Sequence, residues 1–216
     1  MRKTYDEQLE MLHVDLIQMG ALCERAIGAA ARTLTDDNEA LRKDVEKLER
    51  DIDQKERDIE DLCIKMILRQ QPVASDLRLI SAAMRMISDM ERIGDQASDI
   101  VDITRHLKNR KVLESLPLKD MEEVTMKMVT ESVDSFVRQD VELAKKVMEE
   151  DDIVDAKFIQ TKDQVAQMLM NNIQLSEEFV DIIMIAKYYE RIGDHAVNIA
   201  EWVEYSITGE RVGDAE

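Results

Sequence analysis

Two prolines and six glycines in 216 residues leave few of the residues from which the tight turns of a sheet protein are made. Aromatic residues, which favour strands, are also scarce at 4%. These shortages argue against a β-rich chain and predict an all-α protein. Cysteine occurs twice, at Cys23 and Cys63, too far apart for a thiolate metal cluster. Each falls in a helical apolar pattern, so each is expected as a buried free thiol, which suits a reducing cytosol. Long hydrophobic runs are absent. The longest uncharged stretch, residues 164–176, is too short to span a bilayer. Met1-Arg2-Lys3 is not followed by an apolar run, so no secretory signal is expected. Positive charge is in deficit, with 29 Lys and Arg against 47 Asp and Glu and a formal net charge of −18. Such a surface repels nucleic acid and anionic lipid, which excludes a binder of phosphate backbones. Cations and basic protein surfaces are the partners it favours. Hydrophobic residues at 44% still supply a core beside a surface carrying 35% charged residues.

What is present is a pentapeptide written twice. Residues 91–95 read Glu-Arg-Ile-Gly-Asp, and residues 190–194 repeat it. The pattern places both copies inside long helices, where Glu and Asp at i and i+4 share a face. Like charges at that spacing cost a few tenths of a kcal/mol, and a mid-helix Gly costs about 1 kcal/mol relative to Ala. A chain that accepts both penalties twice suggests compensation, by a cation at the carboxylates and close packing at the glycine.

Periodicity predicts six helical regions in two similar halves. In the first, over about 5–34, Leu9, Leu12, Leu16, Met19, Cys23, Ile27 and Ala30 form the apolar stripe. Thr4 and Glu7 fit a capping box. The run Thr35-Asp36-Asp37-Asn38 ends it with N-cap chemistry, and a second helix follows over about 39–69, with a kink expected near 49–53. Pro72 ends that helix. Ser75 is the expected start of a third, to about residue 108, before a linker over 109–117. Residues 34–53 align without gaps with 136–155. Ser176 is the expected cap of the last helix, Gly209 its stop, and the remaining tail is expected to fray. The simplest architecture is two copies of a three-helix unit, over residues 1–110 and 111–216.

The alignment exposes a second acidic step in each half. Glu49 and Asp53 match Asp151 and Asp155. Each unit then has one acid-x-x-x-acid step on its second helix and another on its third, Glu91/Asp95 and Glu190/Asp194. A short turn makes those helices antiparallel neighbours, so four carboxylates meet across one seam. On the helical wheel Glu91, Asp95, Ser98 and Asp102 cluster away from Met90, Ile93, Ala97 and Ile100, with Gly94 between. The seam is therefore shallow and outside the bundle. Oxygen donors of this type suit hard or borderline cations. The competing reading is a solvated acidic face paired with Arg92 and Arg191. His195 is either a further ligand or an ordinary surface or core residue, and the 14 methionines are adaptable core filling.

At this point the chain resembles the PhoU family of phosphate-uptake regulators. The resemblance is carried by Gln70-Gln71-Pro72-Val73-Ala74-Ser75-Asp76-Leu77-Arg78, by Glu91-Arg92-Ile93-Gly94-Asp95, and by the run from Tyr189 through Glu190-Arg191-Ile192-Gly193-Asp194-His195 to Ala200. It implies a pair of three-helix bundles with multinuclear iron or zinc clusters on their surfaces. The implied ligands are Glu49, Asp53, Glu91, Asp95, Asp151, Asp155, Glu190 and Asp194. The first half departs in having Gln96 where the second has His195. The resemblance further implies a cytoplasmic, often dimeric regulator that is not an enzyme. It would link a phosphate transporter's ATPase subunit to a sensor histidine kinase and touch the membrane only through them. A metal-dependent hydrolase and an acidic metal-binding scaffold are the alternatives.

Overall fold

The computed structural model describes residues 2–70, 72–171 and 173–210. Six long helices account for most of them: α1 (Arg2–Thr35), α2 (Glu39–Gln70), α3 (Ala74–Thr104), α4 (Leu118–Arg138), α5 (Val141–Asn171) and α6 (Ser176–Thr208). The stripe read in α1 is the buried one: Leu12, Leu16, Met19, Cys23, Ile27 and Ala30 are fully covered. The Asn38 side chain accepts the Ala40 amide at 2.9 Å and starts α2. Asp140 does the same for α5 through the Leu143 amide at 3.0 Å. Gln139, at φ 53°, closes α4 in a left-handed conformation, and Gly209, at φ 80°, closes α6 as expected.

Several expected helix ends are corrected. α1 begins at Arg2, so Thr4 lies inside it rather than at its cap. Val73, without a side-chain bond, holds the cap position of α3, and Leu175 that of α6. Ser75 and Ser176 thus fall just inside their helices. α3 ends at Thr104, short of residue 108, and the linker folds into a 3-10 turn, Arg110–Ser115. α2 is a single α-helix, Glu39–Gln70, that includes the stretch where a kink is expected. The tail over 211–216 lies outside the described residues.

Both halves have the same plan, a tandem repeat of three-helix bundles. α2 packs on α1 and α3, and α5 packs on α4 and α6. α3 and α6 lie against each other between the halves, and α1 meets α4. The α3–α6 pair is antiparallel, since Arg85 stacks on Trp202, Asp89 meets Asn198 and Asp99 meets Tyr188. That register sets Gly94 opposite Gly193, so both pentapeptides lie at the middle of the molecule. One continuous hydrophobic cluster draws on all six helices.

Candidate functional site

The two seams form where α2 crosses α3 and where α5 crosses α6. Both helices of each pair run antiparallel, as expected from the short turns between them. In the first half Glu46 meets Arg105 at 3.0 Å, Glu49 accepts the Ser98 hydroxyl at 2.7 Å, and Ser88 reaches Glu56 at 3.4 Å. The inner face of α3 is Met90, Ile93, Ala97 and Ile100, all fully buried. The acidic face is therefore peripheral, as the wheel predicts.

Glycine makes each seam possible. A Cβ on Gly94 would lie 2.9 Å from Ile52 Cδ1, and one on Gly193 would lie 2.8 Å from Asp151 Oδ1. The repeated glycine thus lets α2 and α5 approach closely enough for the carboxylates to feel one another.

The second seam gathers the acids assigned to it. Burial first, then the charges of Asp155, Asp194, Glu190 and Asp152, push the Asp151 carboxyl up to about 6. Asp151 Oδ1 is buried without a hydrogen-bond partner. Glu190 is tied to Lys187, whose ammonium also sits 5.5 Å from the Phe158 ring centre. Arg191 turns away, over the Tyr188 ring at 6.0 Å.

The first seam is more nearly self-neutralised. Arg92 reaches Glu91 at 3.4 Å and Asp95 at 3.0 Å, and Glu49 is held by Ser98. Burial and then the charge of Asp95 raise the Glu91 carboxyl, with Glu56 and Asp53 adding to the effect. Glu56, raised chiefly by burial, joins this seam although sequence reasoning passed over it. Its match in the second half is Phe158, so the repeat offered no duplicated acid to notice. Among the described residues, no three carboxylate, imidazole or thiolate groups converge closely enough to hold a metal ion as the side chains stand.

His195 faces the other half rather than its own seam. Its Nδ1 lies 2.9 Å from Asp89 Oδ1 on α3, which also accepts from Asn198 at 3.1 Å. At the related place Tyr188 donates to Asp99, whose carboxyl is raised first by burial and then by Asp95 and Asp102. These polar clasps across α3 and α6 were not legible in the sequence, because each joins residues about a hundred positions apart. Cys23 and Cys63 are buried and free, and burial pushes the Cys63 thiol up to about 12 and the Cys23 thiol up as well. No described helix is long and apolar enough to cross a membrane.

The comparisons cover the same two units. The family described as the PhoU domain matches residues 16–104 and again 118–203. The chain is 30% identical over 213 residues to a phosphate-specific transport system accessory protein PhoU homolog of Clostridium acetobutylicum, covering 98% of this chain and 97% of that one. It is 37% identical over 186 residues to the corresponding homolog of Aquifex aeolicus, covering 86% and 84%. The crystal structure of PhoU from Pseudomonas aeruginosa superposes with a TM-score of 0.86 at 33% identity, over 95% of this chain and all of that one. With two matched repeats, relatives aligned along nearly their full length and the same tertiary plan, the chain belongs to the PhoU family.

Proposed function

We propose that this chain is an accessory regulator of phosphate uptake that represses the phosphate-starvation response when phosphate is plentiful. The observation that carries the reading is the end-to-end match to phosphate-specific transport system accessory proteins. In this reading it is a cytoplasmic adaptor and not an enzyme. It joins the ATPase subunit of a phosphate transporter to a sensor histidine kinase, acts as a homodimer, and reaches the membrane only through those partners. Rigid helices more than thirty residues long suit an adaptor, because they hold separate surfaces at fixed spacing.

Iron or zinc fits the donor chemistry of the seams. Asp151 Oδ1 lacks a partner, and neighbouring carboxylates crowd its charge. A cation relieves both defects. Asp151, Asp155, Glu190 and Asp194 would hold it in the second seam, and Glu49, Asp53, Glu91 and Asp95 in the first. Bound metal would neutralise like charge and tie the outer helix of each half to the central pair. Arg92 and Lys187 are the protein's own cations at these seams and would compete with it.

Two experiments test the reading. Deletion of the gene is expected to switch on alkaline phosphatase in high phosphate, and normal repression in the deletion strain would overturn the regulatory role. Metal analysis of untagged, unchelated protein is expected to find two or more iron or zinc ions per chain, lost in Asp95→Asn/Asp194→Asn. Metal-free protein after reconstitution would turn the seams into electrostatic docking faces and leave the adaptor role standing.

A further inference from the structure

The outer face of α1 has a feature the seams do not explain. Met11, Val14 and Ile17 are 55%, 47% and 47% exposed. They lie on the side of α1 away from the fully buried Leu12, Leu16 and Met19. The two flanks of the helix are taken. On one, Lys55 of α2 binds Asp15 at 3.0 Å and Gln18 at 2.9 Å. On the other, His13 meets the Phe136 ring of α4 edge-on at 5.9 Å, and Thr130 of α4 donates to Glu24. The face between these flanks is open. It carries a shallow groove of about 440 Å³ lined by Glu7, Glu10, Met11, Val14 and Asp15; of its three carboxylates Asp15 is the one already held by Lys55.

The second half bears on one of these positions, Ile17, since α4 begins at Leu118, the match of Leu16. In the repeat register Ile17 matches Lys119, Ala21 matches Glu123 and Arg25 matches Lys127. There Lys119 pairs with Glu123 at 3.4 Å, an exposed charge pair at the places of Ile17 and Ala21. On α1 the exposed apolar run instead continues from Ile17 to Val14 and Met11, which have no counterpart on α4.

We propose that the outer face of α1 is a docking surface for a basic amphipathic helix of a partner protein. Its apolar stripe seats on Met11, Val14 and Ile17, and its lysines or arginines lie over Glu7 and Glu10. Charge complementarity selects this occupant: the carboxylates of Glu7 and Glu10, in a chain of net charge −18, favour a cationic ligand, and a stripe of helical spacing matches a helix. The surface needs neither metal nor the phosphate role for its chemistry.

The probe is a synthetic 18-residue helix of leucine at i, i+3, i+4 and i+7 with lysine elsewhere, titrated against the full chain by fluorescence anisotropy. A scrambled peptide of equal composition is the control for simple charge attraction. The ordered peptide is expected to bind at least tenfold tighter than the scrambled one. Val14→Ser/Ile17→Ser should remove that advantage while circular dichroism shows an unchanged fold. Glu7→Gln/Glu10→Gln should weaken binding severalfold and flatten its salt dependence. An undiminished preference in Val14→Ser/Ile17→Ser would overturn the proposal. So would sedimentation showing that those substitutions split a dimer, which would assign the face to a second copy, or binding of the face to neutral lipid vesicles. Peptide binding does not read phosphate control, so normal repression in a deletion strain would retire the regulatory role without touching this result.

Discussion

The two seam glycines differ from Gly28 in what surrounds them. Ile52, 2.9 Å from a Cβ placed on Gly94, is itself fully buried and has no free space to enter. Overpacking there costs about 1–3 kcal/mol, which exceeds the roughly 1 kcal/mol that alanine gains in a helix. Gly94→Ala should therefore lower stability in denaturant titration. At Gly28 the nearest atom to a Cβ is Met126 Sδ at 3.8 Å, an ordinary contact. Gly28→Ala should raise stability by about 0.5–1 kcal/mol in the same assay. Asp151 carries a pH signature. Its folded carboxyl sits at about 6, above the ordinary aspartate value, chiefly through burial and then its acidic neighbours. The folded state thus holds the proton more tightly, and its stabilising effect is complete below about pH 4 and lost as pH rises through 6. In chelated protein Asp151→Asn should be more stable than wild type at pH 7.5, by about 1 kcal/mol after solvent screening, and the gain should vanish near pH 4. A pH-independent difference would show that the Asp151 carboxyl is not raised in the folded protein. The spacing of these acids was legible in the sequence. Their unequal surroundings were not, since Ile52, Lys187 and Ser98 reach the seams from other turns or other helices.

Among the elements, the linker departs furthest from its sequence reading. It was expected as irregular chain, yet Arg110 in its 3-10 turn binds the carbonyls of two helices. Its guanidinium donates to Thr33 and Leu34 at the end of α1 and to Thr104 at the end of α3, the last at 2.8 Å. Thr104 also donates to Thr33 Oγ1 at 3.2 Å, joining the two helix ends directly. The last carbonyls of a helix have no partner within it, so one planar cation satisfies several at once. Arg110→Ala should cost about 1–3 kcal/mol of unfolding free energy, and Arg110→Lys should recover only part of it because a lysine cannot span both ends. Equal stability of Arg110→Ala and wild type in chemical denaturation would mean that water replaces the guanidinium. The linker's position over 109–117 was legible in the sequence. Its role as a clasp did not, because the carbonyls it binds are backbone groups that no side-chain pattern reveals.

At the scale of the molecule, the sequence reads as two units and the core as one. The hydrophobic cluster passes from Leu12 and Met90 in the first half to Phe136 and Tyr189 in the second. Asp89 with His195 and Asn198 adds polar contact along the same α3–α6 contact. The chain should therefore unfold in one cooperative transition, with helical circular dichroism and the fluorescence of Trp202 sharing a midpoint. Separate midpoints would show halves that unfold independently. Fragments 1–110 and 111–216 should each be much less helical than the intact chain, since each would expose its half of that shared core.

Hydrophobic period, scarce glycine and proline, and the doubled pentapeptide determined the six helices, their order, the faces that α1 and α3 bury and the acids of the four seam helices. These are local or repeated signals, and a helix writes its buried face every three or four residues. Tertiary structure alone decided that the pentapeptides meet at the middle of an antiparallel pair and that His195 turns to Asp89. It also decided that Arg92 reaches Asp95 while Arg191 leaves its seam, and that the α1 face stays open. Each of these depends on which side chain of a distant helix arrives first, and the competition among such contacts is settled by packing in three dimensions.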